Sequence, residues 1–204
     1  MSGITPSQTV GPYFAYGLTP NGLCQWQPSD AYAWKDTVGS NLVTPDVSGE
    51  RIRIEGCVTD GDGASINDAM IEIWQADGQG RYAHPADKRA LPNSVFRGFG
   101  RSATDKDGRF EFVTIKPGAV PGPNGQMQAP HIAVTYFSRG QLTHLFTRMY
   151  FSDEAANASD PILALVPGER RGTLIAQREA KGEGAVYRFD IRVQGDKETV
   201  FFAV

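Results

Sequence analysis

The chain has 204 residues, with 20 Lys and Arg against 23 Asp and Glu, and a net charge of −3 at pH 7. This balance, without any basic run, argues against a nucleic-acid or membrane-surface partner. The 23 Gly, 13 Pro and 10% aromatic residues are typical of a turn-rich β protein. No leader-like segment and no run of about 18 apolar residues supports secretion or membrane spanning.

The cysteine content indicates the cellular compartment. Cys24 and Cys57 are the only two cysteines, too far apart for a metal clip and too few for a disulfide framework. We therefore expect two reduced thiols and a cytoplasmic protein.

Two regions are distinguished along the chain. Residues 1–50 are rich in Pro, Gly, Ser and polar residues without a sustained period, which predicts an extended N-terminal arm that packs on a partner chain. Residues 51–204 are long enough for one sizeable core and are predicted to form a single domain.

Short alternating segments separated by turn residues follow the arm. Strands are predicted at 51–55, 69–74, 110–113, 131–136, 145–151, 187–193 and 199–202. The first two are predicted to form a hairpin through the Asp60–Gly63 turn. This spacing predicts an all-β fold, a single-domain antiparallel β-sandwich. Short helices are predicted at 153–166, where Pro161 interrupts, and at 172–179.

Several short motifs are interpreted as turns or as structural residues. The Gly-x-Gly pattern at 98–100 opens no long helix, and Asp105–Gly108 lacks the Glu that would close a calcium loop, so both are predicted to be turns. His84 and His144 have no neighbouring carboxylate or thiolate pattern that would make them catalytic. On its own, a lone His131 on a strand is more often a packed core residue than a ligand.

Residues 114–134 read TIKPGAVPGPNGQMQAPHIAV and resemble the metal-binding segment of the intradiol dioxygenase family, whose catalytic members open catechol rings with ferric iron. Those members use one Tyr shortly after Lys-Pro-Gly, a Pro-x-His-x-His pair and an earlier Tyr. Here Val120 replaces the Tyr, His131 keeps the first imidazole, Ala133 replaces the second, and Lys88 stands near the place of the earlier Tyr. The resemblance implies that one ligand of four survives at these degenerate ligand positions. One imidazole cannot hold ferric iron, so the chain is expected to bind no catalytic metal.

The resemblance extends beyond the ligands. Gln128 stands where the family has an Arg, and Arg148 stands where it has a Gln. Further similar segments are spread from end to end, at 5–13, 72–77, 137–140 and 187–192. The resemblance therefore implies the iron-less subunit of a heteromeric member of the family. The partner would be a homologous chain that holds the ferric iron, in a larger heteromeric assembly that cleaves 3,4-dihydroxybenzoate with dioxygen.

The same resemblance gives roles to residues that would otherwise be unremarkable. Arg139, in a predicted turn, would face the substrate carboxylate, because a planar guanidinium matches a carboxylate through two parallel hydrogen bonds. Without the resemblance, Arg139 reads as an ordinary surface residue. Four residues of the arm would lie along the wall of the partner's substrate cavity: Thr9, Gly11, Pro12 and Tyr13.

Two other classes of function stay open from the sequence. An active single-chain dioxygenase with different ligands would need a new cluster, for which Tyr82 and His84 form a weak upstream pair. A non-enzymatic β-sandwich binding module would need no homologous partner. Iron content of the isolated chain and copurification with an iron-binding homologue separate these hypotheses.

Overall fold

A computed structural model describes residues 38–90, 95–179 and 184–203. In these ranges the chain forms eleven β-strands and four short 3-10 helices, which confirms the predicted all-β class. The strands are β1 Arg51–Thr59, β2 Met70–Trp74, β3 Phe99–Ala103, β4 Arg109–Ile115, β5 Val120–Pro121, β6 Met127–Gln128, β7 His131–Phe137, β8 Leu145–Phe151, β9 Ile175–Glu179, β10 Ala185–Arg188 and β11 Ile191–Arg192. The 3-10 helices are Pro123–Gly125, Ala155–Ser159, Leu163–Leu165 and Arg171–Leu174. No helix in the described ranges is long and apolar enough to cross a membrane.

Nine of these strands form one mixed sheet. Its order is β11-β1-β10-β9-β8-β7-β2-β3, with β4 paired to β1, while β5 and β6 form a separate two-stranded ladder. One half of the sheet, around β1, β4 and β10, packs face to face on the other half, around β2, β7 and β8, because both halves place side chains in one apolar cluster. Strand β9 links the two halves by pairing with both β8 and β10.

The core follows from the alternation of side chains along each strand. In β1, Ile52, Ile54 and Val58 are buried while their neighbours are more exposed, as expected when successive residues point to opposite faces. Each such buried aliphatic side chain contributes about 1.5–3 kcal/mol. On β7, Ile132 and Val134 enter the same core. The outer face of β7 therefore carries residues 131, 133, 135 and 137.

The prediction of an antiparallel sandwich is wrong in part. Strand β1 pairs in parallel with β10 and with β11, and β8 pairs in parallel with β9. Parallel neighbours need a long crossover, and residues 152–174 with their 3-10 helices supply one between β8 and β9. The predicted hairpin between β1 and β2 is also wrong, because β1 pairs with β4 and β2 pairs with β3 and β7.

Five local predictions are corrected by the structure. The strand predicted at 199–202 is irregular apart from an isolated bridge between Phe202 and Phe146. The helix predicted at 172–179 is a 3-10 turn followed by β9, because Ala176 is buried against β8 and tertiary pairing overrides helix propensity. The helix predicted at 153–166 is two separate 3-10 turns. The turn predicted at 98–100 is a strand start preceded by Gly98, whose φ of +71° and close approach to the Gln75 carbonyl require glycine. Residues 187–193 divide between β10 and β11.

The described part of the predicted arm, residues 38–50, lies against this chain's own sheet. Leu42 N donates to the Val113 carbonyl at 2.8 Å, and Val113 N donates to the Ser40 carbonyl at 2.9 Å. Val47 is buried in a small apolar cluster with Ile115. These contacts tie the residues just before β1 to strand β4.

Candidate functional site

The outer face of β7 and β8 brings three degenerate ligand positions together. Ala133 pairs with Arg148 and His131 pairs with Tyr150 across the β7–β8 ladder. Val120 pairs with Gln128 in the β5–β6 ladder, and Gln128 reaches the Arg148 side chain. The motif that suggested these positions in the sequence is therefore a spatial cluster in the fold.

A guanidinium lies within this cluster. Arg148 Nη1 donates a hydrogen bond to Gln128 Oε1 at 2.6 Å, so the two substituted positions beside the ligands contact each other. An Arg keeps its charge at any physiological pH. The cluster thus carries a permanent internal cation supplied by the chain itself.

His131 is packed as a structural residue. Its side chain is only 5% exposed, and its Nδ1 donates to the Ala129 carbonyl at 2.8 Å. Its ring centroid lies 5.8 Å from that of Tyr150. Burial lowers the pKa of His131, and the nearby Arg148 charge lowers it further. The surviving imidazole is therefore neutral at pH 7 and has one nitrogen committed to the backbone.

The carboxylate of Asp160 holds this region together, although the sequence reasoning did not single it out. It is 1% exposed and accepts four hydrogen bonds. Oδ1 accepts from Tyr150 OH at 3.0 Å and from the Ile162 and Leu163 amides at 2.9 and 2.7 Å, and Oδ2 accepts from Ala129 N at 2.8 Å. Burial and the Asp160 charge raise the pKa of Tyr150, so this phenol stays protonated. An Asp directly before a Pro is a turn-initiation signal, and an Asp side chain in a turn commonly accepts from the amide two residues on, so the Asp160–Pro161 pair could have flagged it.

Lys88 lies in an exposed position of the loop that follows β2. The loop contacts the outer face through Tyr82, whose ring stacks on Trp74 at 5.9 Å between centroids and 12° between planes. Arg89 beside Asp87 holds the pKa of that carboxyl well below its usual range. The loop and sheet enclose an open cleft of about 660 Å³, lined by Trp74, Tyr82, His84, Ala86, Asp87 and Phe99.

Arg139 lies at the opposite end of β7, in the turn that follows the strand, as predicted. Its side chain is 78% exposed, and its Nε lies 2.9 Å from Asp68 Oδ2. Gly140 completes the turn with a φ of +80°, a conformation that favours glycine. The cavity-wall residues predicted in the arm lie outside the described ranges: Thr9, Gly11, Pro12 and Tyr13.

Comparison with known proteins identifies the family. The protein-family model Dioxygenase_C, which describes a dioxygenase family, matches residues 33–195 of this chain. The protocatechuate 3,4-dioxygenase alpha chain of Burkholderia cepacia is 50% identical over 98% of this chain and 97% of its own length. The chain belongs to the intradiol dioxygenase family. The beta chain from the same organism is 37% identical, over 74% of this chain and 67% of its own. Among solved structures, the dioxygenase domain of a carbohydrate-binding fusion protein from Streptomyces sp. SirexAA-E has a TM-score of 0.58 at 26% identity, covering 76% of this chain and 87% of that one.

The intradiol dioxygenase family is iron-dependent, and the residues of this cluster do not fit that metal. The side chains of Val120 and Ala133 have no atom that can coordinate a metal ion. The Tyr150 hydroxyl donates its hydrogen bond to Asp160. The Arg148 guanidinium would repel a metal cation placed beside it. In the described ranges, no three His, Cys, Asp or Glu side chains are arranged to hold a metal ion.

Proposed function

We propose that this chain is the non-iron alpha subunit of a protocatechuate 3,4-dioxygenase and works only in complex with a homologous beta chain that holds the ferric iron. The whole-length similarity to an alpha chain supports this assignment. The observation that carries it is the Arg148–Gln128 pair among the degenerate ligand positions, because an internal cation replaces the donors that iron needs.

In the complex, the chain forms part of the substrate cavity. The iron of the partner supplies the redox chemistry, in which protocatechuate and dioxygen give 3-carboxy-cis,cis-muconate by cleavage between the two hydroxyl-bearing carbons. This chain closes one wall, excludes water, and seats the substrate carboxylate through Arg139. The exposure of the Arg139 side chain on a turn supports that role, since its guanidinium is accessible to a second molecule.

The N-terminal arm, residues 1–50, contributes the rest of the wall in this proposal. Thr9, Gly11, Pro12 and Tyr13 lie along the partner's cavity, and the arm belongs to a permanent interface of more than about 2,000 Å². The assembly is a higher heteromer in the cytoplasm, where Cys24 and Cys57 remain reduced. Deleting residues 1–13 is expected to reduce turnover more than it weakens assembly.

Coexpression with an iron-binding homologue tests the proposal. A tag on this chain should retrieve the homologue, and the complex should consume one dioxygen per ring-opened product. The chain purified alone should carry no stoichiometric iron and consume no oxygen. A visible phenolate-to-iron absorption band in the isolated chain, or oxygen uptake by it, would support a single-chain dioxygenase instead. Failure to copurify, with no effect on turnover by the homologue, would favour a binding module.

A further inference from the structure

The carboxylate of Asp68 meets Arg139 at the end of the β2–β7 ladder. In the antiparallel β2–β7 ladder, Trp74 pairs with Ala133 and Met70 pairs with Phe137. Asp68 lies two residues before Met70 and Arg139 two residues after Phe137, in the turns that flank this end of the ladder. Their side chains meet there, with Arg139 Nε 2.9 Å from Asp68 Oδ2. The pair thus joins the turn before β2 to the turn after β7.

The two partners differ in how firmly they are held. The side chain of Asp68 is 34% exposed and that of Arg139 is 78% exposed. The residue after Asp68 is anchored in both directions, because Ala69 N donates to Thr104 Oγ1 at 2.9 Å and Thr104 N donates to the Ala69 carbonyl at 2.9 Å. Thr104 is itself buried. Asp68 is therefore a fixed support for a longer and more exposed side chain.

From this arrangement we infer that Asp68 is a positioning residue that orients the Arg139 guanidinium for the carboxylate of the substrate. The inference rests on the proposed function of Arg139. The shortest contact of Asp68 is with Nε, so the two terminal nitrogens of Arg139 can serve a second carboxylate. Ordering this side chain before binding removes part of the entropic cost of seating the substrate.

Charge alone makes the opposite prediction, which gives the inference a clear test. Asp68 cancels the charge of Arg139, so replacing it with a neutral residue makes the site more positive. Simple attraction would then strengthen binding of an anionic substrate. If orientation dominates, Asp68→Asn weakens binding of protocatechuate in spite of the added positive charge.

The experiment measures KM and kcat of the assembled enzyme for protocatechuate and for catechol, which lacks the carboxylate. For Asp68→Asn we expect the KM for protocatechuate to rise about two- to fivefold, the range that a largely exposed ion pair supports. We expect kcat to stay within about twofold and the KM for catechol to be unchanged. Asp68→Glu should recover part of the loss. Asp62→Asn, which removes a charge from an exposed position of the same loop, is the matched control.

A second pair of variants separates the failure of this inference from the failure of the proposed function. If Arg139→Ala discriminates between the two substrates but Asp68→Asn behaves like Asp62→Asn or lowers the KM, the inference is overturned and the role of Arg139 stands. If Arg139→Ala affects both substrates equally, the proposed function of Arg139 fails first. In the Arg139→Ala background, Asp68→Asn should have no further effect on KM. An additive rise there would show that Asp68 acts independently of Arg139.

Asp68→Ala provides a further check in case the Asn variant assembles poorly. Because its carboxylate contacts an exposed side chain and its backbone is anchored through Ala69, both variants are expected to fold. Size-exclusion profiles and iron content of each complex should match those of the unmodified enzyme. A selective rise of KM in Asp68→Ala supports the inference, and an equal rise for both substrates overturns it.

Discussion

Two arginines on the same face of the sheet have opposite surroundings. Arg148, in the middle of β8, is hydrogen-bonded to Gln128 and lies among the degenerate ligand positions. Arg139, in the turn after β7, is 78% exposed and touches a single carboxylate, that of Asp68, among the described contacts. The Arg148 guanidinium is hydrogen-bonded inside the fold, whereas the Arg139 guanidinium is accessible to a partner or ligand. The degenerate ligand positions are therefore structural, whereas the turn after β7 carries the cation to which the proposed function gives a recognition role.

The largest expected effect comes from removing the exposed cation. In the assembled enzyme, Arg139→Ala should reduce transition-state stabilisation for protocatechuate by on the order of 2–5 kcal/mol, because the substrate carboxylate is left unpaired in a desolvated cavity. The effect should appear mainly in KM. Catechol has no carboxylate, so its kcat/KM should change much less and the discrimination between the substrates should narrow.

Arg139→Lys is the matched control for this prediction. A single ammonium cannot make two parallel hydrogen bonds, so only part of the loss should be recovered. Equal losses for both substrates, with assembly and iron content intact, would show that Arg139 supports the interface and does not read the carboxylate.

The next largest effect is expected at Asp160, which lies beside the degenerate ligand positions. Asp160→Ala should lower the free energy of unfolding of the isolated chain by about 3 kcal/mol, because the buried Tyr150 hydroxyl and three backbone amides lose a charged acceptor. Chemical denaturation followed by fluorescence measures it. Asp62→Ala, at an exposed position, should stay within about 0.5 kcal/mol of the unmodified chain. A similarly small change for Asp160→Ala would contradict its role.

A smaller effect is expected when the internal cation is removed. Arg148→Gln should lower the free energy of unfolding by about 1 kcal/mol and leave the KM for protocatechuate unchanged. Gln128→Leu should cost a similar amount, and the double variant should cost less than the sum, because the two side chains share one hydrogen bond. If Arg148→Gln raises the KM for protocatechuate and leaves the free energy of unfolding unchanged, Arg148 takes part in substrate recognition and not in stabilising the fold.

An effect of similar size, expressed as a pH dependence, is expected at Lys116, a third cation that is internally paired. Burial alone would raise the pKa of Asp153, but the Tyr187 hydroxyl at 3.0 Å and Lys116 Nζ at 3.3 Å outweigh it and hold the pKa of Asp153 below its usual value. A lowered folded-state pKa adds stability above the unfolded value of about 3.9, and this is lost as pH falls through the folded pKa. Asp153→Asn should remove about 1 kcal/mol at pH 6 and flatten the loss of stability below pH 4. The prediction is contradicted if the free energy of unfolding falls equally between pH 6 and pH 3 in the Asp153→Asn variant and in the unmodified chain.

The predictable part of the fold is the part with strong alternation. Strand β1 buries every second residue from Ile52 to Val58, and its period was readable in the sequence. Strand β9 buries only Ala176 fully, so no alternation marks it. Strand β3 buries Gly100 and Ser102, whose small side chains give no hydrophobic signal. The parallel pairings were equally hidden, because connection length does not say which strand will be the neighbour.

The candidate site also contains residues that the sequence predicts and residues that it does not. The substitutions Val120 and Ala133 were readable because a motif with fixed spacing defines those positions. Asp160 contacts Ala129 and Tyr150 only once the strands are paired, so these two hydrogen bonds had no counterpart in local sequence. Asp68 meets Arg139 because the turn before β2 and the turn after β7 lie at the same end of the β2–β7 ladder, and this pairing was not predicted from the sequence.

The iron stoichiometry of the purified complex tests the central claim most directly. Metal analysis together with quantitation of each chain gives the number of iron atoms per pair of chains. If this chain carries recognition residues and an internal cation in place of a metal, each alpha–beta pair contains one ferric iron, and Arg148→Gln does not increase that number. Two iron atoms per pair would contradict the account, because the internal cation would then not keep a metal ion out of this chain.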